Sequence, residues 1–377
     1  MRSMAMKPAL FYILLFSVLL CGCNASKQAA STPAPTPTPT PATATVATGT
    51  GAPLAVAVNP NTNQIYVATM TQGSNSGSVT VINGTMNNTT TVAVGSYPYA
   101  IAVNSVTNQI YVANQQSNTV TVIDGTTNNT TTVPVGTTPE AVAVNPVTNQ
   151  IYVANWDNNG TVTVIDGATN NTTTVAVGSS PGAVAVNSVT NQIYVANNGS
   201  NTVTVIDGAT NNTTTVAVGT EPEAVAVNPS TNTIYVANNN PGGPGSVTVI
   251  DGATNNTTTV VAGNGPVDVA VNPNTNKIYV VNNINGSNNV TVIDGATNNT
   301  TTVAVGSYPQ AVAVNSVTNQ IYVTNLNSSN VTVIDGATNN TTTVAVGNGP
   351  DTVAVNTNTN QIYVANLGSG NVTVITP

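Results

Sequence analysis

The sequence predicts an all-β protein, and three observations support this prediction. Val, Ile and Tyr recur in short runs that alternate with polar residues, which is the two-residue period of a half-buried strand. Asn and Thr, which are poor helix formers, fill much of the remaining chain. Apolar residues make up 40% of the 377 residues, so the low content of charged residues does not indicate disorder.

The composition excludes several classes of active site. The chain contains no His, and its two Cys residues, Cys21 and Cys23, both lie near the N-terminus. A His general base, a Ser-His-Asp triad, a Cys-His dyad and a His-ligated metal site are therefore excluded. The formal net charge of −8 argues against a nucleic-acid partner, because proteins that bind nucleic acids present a basic surface.

Residues 1–22 are predicted to be a signal peptide. Arg2 and Lys7 accompany an apolar stretch over residues 9–20, which is too short to span a bilayer. The following Leu20-Cys-Gly-Cys23 resembles the lipobox of bacterial lipoproteins. This resemblance implies cleavage before Cys23 and attachment of a lipid to its sulfur, which would anchor the protein in a bilayer. An ordinary secretory peptide cut elsewhere and an uncleaved anchor are the alternatives.

Residues 23–42 are predicted to be the lipidated Cys and a Pro/Thr-rich tether. Repeated Pro residues prevent a continuous strand ladder and favour an extended polyproline chain, which would reach about 60 Å. Asn24 is not the Asp that holds well-studied bacterial lipoproteins at the inner membrane. The predicted location is therefore the bacterial cell envelope, either at the outer membrane and cell surface or on the periplasmic side.

Residues 43–377 repeat one unit eight times, with the same Asn recurring every 41–45 residues. One unit contains four short alternating runs, here named strands A (140–145), B (150–155), C (161–166) and D (172–178). Turn-forming residues such as Gly-Ala-Thr-Asn-Asn separate the runs. A period of this length with four strands per unit predicts a β-propeller built of four-stranded antiparallel blades.

The repeats resemble the YVTN family of β-propeller proteins, found in archaeal surface layers and among secreted bacterial proteins. Tyr322-Val-Thr-Asn325 matches the family name, and most other units have Tyr-Val-Ala-Asn. The first and sixth units depart from this pattern at Thr69 and Val281. The resemblance covers residues 43–377 and implies a propeller with a surface-layer-like setting, but it implies no particular activity.

The number of blades follows from counting strands. The last unit ends after strand C, so one strand is missing at the C-terminus. Residues 43–49 match residues 89–95, a D strand, at five of seven positions. We therefore predict eight blades closed by the N-terminal strand, which would remove an exposed apolar edge. Seven blades plus remnants, with residues 43–49 as linker, is the alternative.

Nearly all variation between units falls at one end of the predicted propeller. We call this end the variable face; it carries the B–C loops and the D–A connections. The opposite end, the constant face, carries the nearly invariant A–B and C–D turns. On the variable face, the residue after the recurring Pro differs from unit to unit: Leu54, Tyr99, Glu140, Gly182, Glu223, Val267, Gln310 and Asp351. Function usually concentrates in such variable loops on a rigid scaffold.

The acidic residues divide between the two faces. Six Asp residues end strand C before Gly, where we expect them to accept backbone N–H bonds: Asp124, Asp166, Asp207, Asp251, Asp294 and Asp335. The other six fall on the variable face: Glu140, Asp157, Glu221, Glu223, Asp268 and Asp351. Lys277, the only basic residue of the repeats, belongs to the constant face. These six acids, together with Tyr99 and Trp156, are the candidate binding residues.

Three functions fit this arrangement, and binding is preferred. The first is a monomeric structural or binding module that contacts an unidentified protein or glycan through the variable face. The second is Ca²⁺ binding by carboxylate and amide oxygens, although no metal site can be assigned and no other cofactor is expected. The third is catalysis like that of propeller lactonases or lyases, which generally use His, Arg or clustered acids. The repeats have neither His nor Arg, so we predict that the protein is not an enzyme.

Overall fold

The structure is a computed structural model that describes residues 41–49, 51–71, 76–284 and 286–377. The predicted signal peptide, the lipidation site Cys23 and nearly all of the tether lie outside the described residues. One compact unit comprises Thr40–Pro377. None of the helices in the described part of the chain has the length and apolar character needed to cross a membrane.

Thirty-two strands form eight four-stranded antiparallel sheets arranged as the blades of a ring. The first strand of the described residues, β1 (Ala42–Ala47), belongs to the last blade. Blade 1 contains β2 (Gly51–Asn59), β3 (Gln64–Thr71), β4 (Gly77–Asn83) and β5 (Thr89–Val94). Blade 2 contains β6 (Pro98–Asn104), β7 (Gln109–Asn114), β8 (Thr119–Asp124) and β9 (Thr130–Pro134). Blade 3 contains β10 (Pro139–Asn145), β11 (Gln150–Asn155), β12 (Thr161–Asp166) and β13 (Thr172–Ala176).

The remaining five blades repeat this order. Blade 4 contains β14 (Pro181–Asn187), β15 (Gln192–Asn197), β16 (Thr202–Asp207) and β17 (Thr213–Ala217). Blade 5 contains β18 (Pro222–Asn228), β19 (Thr233–Asn238), β20 (Ser246–Asp251) and β21 (Thr257–Val261). Blade 6 contains β22 (Pro266–Asn272), β23 (Lys277–Asn282), β24 (Asn289–Asp294) and β25 (Thr300–Ala304). Blade 7 contains β26 (Pro309–Asn315), β27 (Gln320–Asn325), β28 (Asn330–Asp335) and β29 (Thr341–Ala345), and blade 8 contains β30 (Pro350–Asn356), β31 (Gln361–Asn366) and β32 (Asn371–Thr376). Asn198–Ser200 and Leu326–Ser328 form single 3-10 turns in B–C loops.

The N-terminal strand closes the ring. β1 pairs antiparallel with β32, from Ala42 opposite Thr376 to Ala47 opposite Asn371, and so becomes the outer strand of blade 8. Val46 is buried against a cluster that includes Val372 and Val374. The prediction of eight blades closed by this strand is confirmed, and the seven-blade alternative is wrong.

The core lies between neighbouring blades. Each B strand places a fully buried Tyr against Ile and Val side chains of the next blade, as Tyr111 does against Ile151 and Val153. Eight such clusters recur around the ring. Because each apolar blade surface is covered only by its neighbour, the core depends on ring closure.

A ring of asparagines links the blades on the constant face. The Asn that ends each A strand is completely buried, and its Nδ2 donates to the Oδ1 of an Asn in the A–B turn of the next blade. Between blades 5 and 6, Asn228 Nδ2 donates to Asn276 Oδ1 at 2.8 Å. Between blades 8 and 1, Asn356 Nδ2 donates to Asn63 Oδ1 at 2.7 Å. The accepting Asn has a left-handed backbone, with φ of 52° at both Asn63 and Asn276, a conformation that Asn tolerates. We call this the asparagine ring.

The Asp residues that end strand C have a backbone role, as the sequence indicates. Asp124 Oδ1 accepts the N–H groups of Thr126 at 2.8 Å and Thr127 at 2.9 Å. The equivalent Asn83 in blade 1 accepts the same two bonds through its own Oδ1. These bonds stabilise the ionised form, so the pKa of the Asp124 carboxyl lies below its usual value.

Candidate functional site

The candidate site is a cavity of about 430 Å³ at the variable face. Its walls come from the A strands of blades 6, 7, 8, 1 and 2. Two acids, Asp268 and Asp351, line it together with Tyr99, Gln310 and apolar side chains. A cavity of this size is in the range that small-molecule sites occupy.

A β-bulge at the start of the A strands aims the variable side chains away from the blade. In blade 3, Pro139 pairs with Asn155 and Ala141 with Ala154, so Glu140 between them has no ladder partner. The same register shift frees Tyr99, Glu223 and Asp351. A bulged residue is released from cross-strand pairing, and this explains why its identity varies so freely between units.

Two of the bulged acids receive amide donors from the preceding blade. Gln115 Nε2 donates to Glu140, and Asn198 Nδ2 donates to Glu223 at 3.1 Å. Tyr99 also makes a side-chain hydrogen bond with Glu140. Burial is the main cause that raises the pKa of both glutamates, with a smaller contribution from the charge of Glu223 on Glu140 and of Glu221 on Glu223.

In four blades the first residue of the B–C loop thus reaches the bulged residue of the next blade. Asn283 Nδ2 donates in the same way to Gln310 Oε1 at 2.8 Å. Trp156 occupies the same loop position in blade 3 and packs over Gly182 so closely that a Cβ atom there would lie 2.7 Å from its ring. Trp156, a candidate binding residue, is therefore half-buried against the next blade.

Asp268 differs from the other acids of the variable face because its carboxylate accepts two backbone N–H groups, one of them from the next blade. Its Oδ1 accepts the N–H of Val269 and its Oδ2 accepts the N–H of Val312 in blade 7, both at 2.8 Å. Burial raises the pKa of Asp268 to about 6, despite these two bonds, which act in the opposite direction. Asp268 lies inside β22, opposite Val281, and not in a loop.

Asp351 is a bulged acid without a protein donor. It is half-buried, and among the described residues no hydrogen bond reaches its carboxylate; burial raises its pKa. The loop position that supplies Gln115 to Glu140 is Leu326 for Asp351, and leucine has no donor. Thr352, the next residue, has an Oγ1 atom that is buried without a partner in the described part of the chain.

Asp157 and Glu221 lie in connections on the variable face and have local bonds. Asp157 Oδ2 accepts the hydroxyl of Thr137 at 2.7 Å. The backbone N–H of Glu221 donates to Asn201 Oδ1 at 2.9 Å, and Glu221 has a left-handed backbone with φ of 50°. These contacts shape the loops, and neither residue lines the cavity.

Aromatic side chains add to the site, and sequence reasoning found only part of them. Tyr99 is 39% exposed and stacks on Tyr97, with ring centroids 6.2 Å apart. The pKa of Tyr99 is raised to about 12, mainly by burial. The charge of Glu140, its hydrogen bond to Tyr99 and the charge of Asp351 raise this pKa further. Tyr97 and the equivalent Tyr308 both have left-handed backbones, with φ of 55° and 56°. The Ser-Tyr-Pro sequence shared by these two units was the available signal.

A metal site is not supported by the acids. Within residues 41–49, 51–71, 76–284 and 286–377, no group of three or more His, Cys, Asp or Glu side chains could hold a metal ion. Ca²⁺ takes six to eight oxygen ligands, so a calcium site here would need backbone and amide oxygens for most of them. Calcium binding stays a prediction from the sequence.

Comparisons with known proteins show the fold. A solved structure of hydrazine synthase from Kuenenia stuttgartiensis is similar, with a TM-score of 0.64 and 22% identity over 74% of this chain and 96% of that one. No protein-family model matches the chain, and no curated protein matches it either. At this level of identity the similarity extends to architecture alone. The chain is an eight-bladed β-propeller closed by its own N-terminal strand.

Proposed function

We propose that this protein is a binding module of the bacterial cell envelope. In this proposal it is a YVTN-type propeller, anchored by a lipid on Cys23, that takes its partner at the cavity of the variable face. The tether would then hold the ring away from the bilayer, with the binding face free to meet a protein, glycan or small molecule.

One observation carries the proposal: five of the eight variable residues that follow the recurring Pro line one cavity. The bulged residues Tyr99, Val267, Gln310 and Asp351 all line it, whereas the constant face repeats the same bonds in every blade. A fold needs the repeated residues for its own stability, so residues that differ at one place indicate a role outside folding. Half-buried acids without a basic neighbour favour a partner that donates hydrogen bonds or carries positive charge.

Catalysis is the less supported alternative. The similar solved structure is that of a synthase, but 22% identity does not transfer an activity. The propeller has no His and no Arg, and two of its bulged glutamates are held by neutral amide side chains. An enzyme would need its proton transfer to come from carboxylates and tyrosines alone.

The test compares acids of the two faces in the full-length protein. A face set replaces Glu140, Glu221 and Glu223 with Gln and Asp351 with Asn, and a turn set replaces Asp166, Asp207 and Asp251 with Asn. A glycan array and a panel of basic peptides are the probes. We expect ligands of the native protein to be lost by the face set and kept by the turn set.

The opposite pattern would show that the working face is assigned wrongly. Turnover of a lactone panel by the native protein, abolished in the face set, would replace the binding proposal with an enzymatic one. The anchor is tested separately: Cys23→Ser should move the protein from the membrane fraction to the soluble fraction, since a single lipidated Cys is the proposed attachment. Retention of this variant in membranes would contradict lipidation.

A further inference from the structure

The wall of the cavity breaks the repeat at two polar positions. Six of the eight units have Ala two residues after the recurring Pro of strand A: Ala55, Ala100, Ala141, Ala183, Ala224 and Ala311. The exceptions are Asp268 and Thr352, and both line the same cavity. Because Ala satisfies this position in the other blades, the fold does not require a polar side chain at either place.

The first unpaired group in this wall is the hydroxyl of Thr352. Its Oγ1 atom is buried and has no hydrogen-bond partner among the described residues. A buried polar atom without a partner is destabilising, and native structures retain such atoms where a ligand or water completes them. In the Ala-containing units this penalty does not arise.

Asp351 precedes Thr352 in the chain, and its carboxylate is also unpaired among the described residues. Glu140 and Glu223 accept hydrogen bonds from Gln115 and Asn198 of the preceding blade, and Leu326 stands where those donors would be. The described residues supply no donor to the Asp351 carboxylate, and Lys277, their only basic residue, begins strand β23 at the constant face, where it pairs with Asn272 and Asp294. The cavity is therefore lined by a carboxylate without a donor and by a threonine whose buried hydroxyl has no partner.

The remaining walls limit what can bind there. Leu54, Val267 and the half-exposed ring of Tyr99 line the same cavity. Apolar and aromatic walls favour an apolar body, and an aromatic face near a carboxylate favours an organic cation. A calcium ion would lack most of its six to eight oxygen ligands in such surroundings.

We propose that this cavity binds a primary ammonium group carried on a small apolar body. The ammonium donates to the Asp351 carboxylate and to Thr352 Oγ1, and the apolar body packs against Leu54, Val267 and Tyr99. The inference rests on the proposed function, because it names the chemical class that the variable face recognises. Charge-assisted bonds in a partly desolvated cavity give both affinity and selectivity over uncharged analogues.

Isothermal titration calorimetry on the full-length protein tests this. The probes are n-butylammonium chloride, uncharged n-butanol and calcium chloride at pH 8. We expect saturable binding of butylammonium and none of butanol. Asp351→Asn should weaken butylammonium binding by about tenfold or more, since it removes the charge of a partly buried pair. Thr352→Ala should weaken it several-fold, and Asp166→Asn, on the constant face, should leave it unchanged.

Leu326→Gln is the sharpest variant. It gives Asp351 the amide donor that Glu140 already has, so it should weaken butylammonium binding without removing any acid. Binding should also weaken at pH 5, because burial raises the pKa of Asp351 and protonation removes its charge. Melting curves of each variant exclude misfolding, and Thr352→Ala introduces the residue that six other units carry.

Three results would overturn the inference: absence of butylammonium binding, equal binding of butanol, or unchanged binding by Asp351→Asn. Calcium binding that depends on Asp351 and excludes butylammonium would replace it with a metal site. If butylammonium does not bind but the face set still abolishes partner binding, the ammonium site is wrong and the proposed function stands. If butylammonium binds and the face set keeps its partner, the proposed function is wrong.

Discussion

The two faces of the ring carry similar polar residues, but these residues have different roles. On the constant face, each A-strand Asn donates to the next blade, and each C-strand Asp or Asn accepts two backbone N–H groups. On the variable face, bulges remove side chains from the ladder, and Asp351 and Thr352 keep unpaired oxygens. The comparison shows that the polar bonds of the constant face repeat from blade to blade, whereas the bulged residues of the variable face differ between blades.

The acids show this contrast most clearly. Hydrogen bonds from the turn hold the pKa of Asp207 below its usual value, whereas burial raises the pKa of Glu223 and Asp351. An acid with a lowered pKa stabilises the fold at neutral pH, and an acid with a raised pKa destabilises it. The protein therefore keeps acids on the variable face at the expense of stability, as expected for groups with a role outside folding.

The largest loss of stability should come from deleting β1, the strand that closes the ring. Deletion of β1 (Ala42–Ala47) leaves β32 without its partner and exposes Val372 and Val374. We expect a large loss of thermal stability, measured by circular dichroism, because the blade 8 core loses its cover. Deletion of residues 26–36 in the tether is the control and should leave the melting curve unchanged. Identical curves for the two deletions would show that β1 is dispensable.

A smaller loss of stability is expected when one hydrogen bond between blades is removed from either face. Asn228→Ala removes the donor to Asn276 and the acceptor for Ser230 N–H in the asparagine ring. The half-buried Oδ1 of Asn276 loses its donor, and the space of the buried Asn228 amide is left unfilled, so we expect a loss of about 1–3 kcal/mol in the free energy of unfolding by urea. Asn198→Ala is the matched variable-face change, since it removes the donor to Glu223, and it should destabilise less. The reverse order would contradict the division between the faces.

The pH dependence of stability should report the variable-face acids. Burial raises the pKa of Asp268 from 3.8 to about 6, so the folded state binds more protons than the unfolded state between these values. Stability should therefore increase as the pH falls from 7.5 towards 5, and the acids with a raised pKa add to this slope. Urea unfolding at several pH values measures it. Asp268→Ala should flatten the curve, and a native curve that is already flat would contradict the assignment.

The smallest effect should come from a constant-face turn. Asp207→Asn keeps an oxygen that can accept the N–H groups of Ala209 and Thr210, as Asn83 does in blade 1. We expect no measurable change in urea unfolding at pH 7. Below pH 4 the variant should lose less stability than the native protein, because the lowered pKa of Asp207 makes its protonation destabilising. Asp207→Ala is the control that removes the acceptor and should destabilise at both pH values.

Much of the fold could be predicted from the sequence because the same residue pattern recurs in every unit. The period, the recurring Tyr and the match of residues 43–49 to a D strand determine the eight closed blades. The backbone role of the C-strand Asp residues follows from their fixed place before Gly. Repetition converts a local inference into one that is tested eight times in a single chain.

The details of the candidate site could not be predicted because they depend on contacts between blades. Gln115 and Glu140 lie 25 residues apart, as do Asn198 and Glu223, but only the structure shows that these positions meet. The bulge that turns Asp351 out of the ladder leaves no mark in a two-residue period. Once the structure shows which positions are in contact, Leu326, which stands where other blades have Gln or Asn, identifies Asp351 as the acid without a donor.

The asparagine ring also bears on how such a chain can evolve. The link from Asn356 to Asn63 joins the last unit to the first with the same bond that joins every other neighbouring pair. Unequal recombination between repeats, which inserts or removes whole units, would leave each new junction with both of its partners already encoded. The constant face thus makes the units interchangeable, while each unit brings its own bulged residue to the other end. Reshuffling repeats would then change the lining of the cavity without redesigning a single interface.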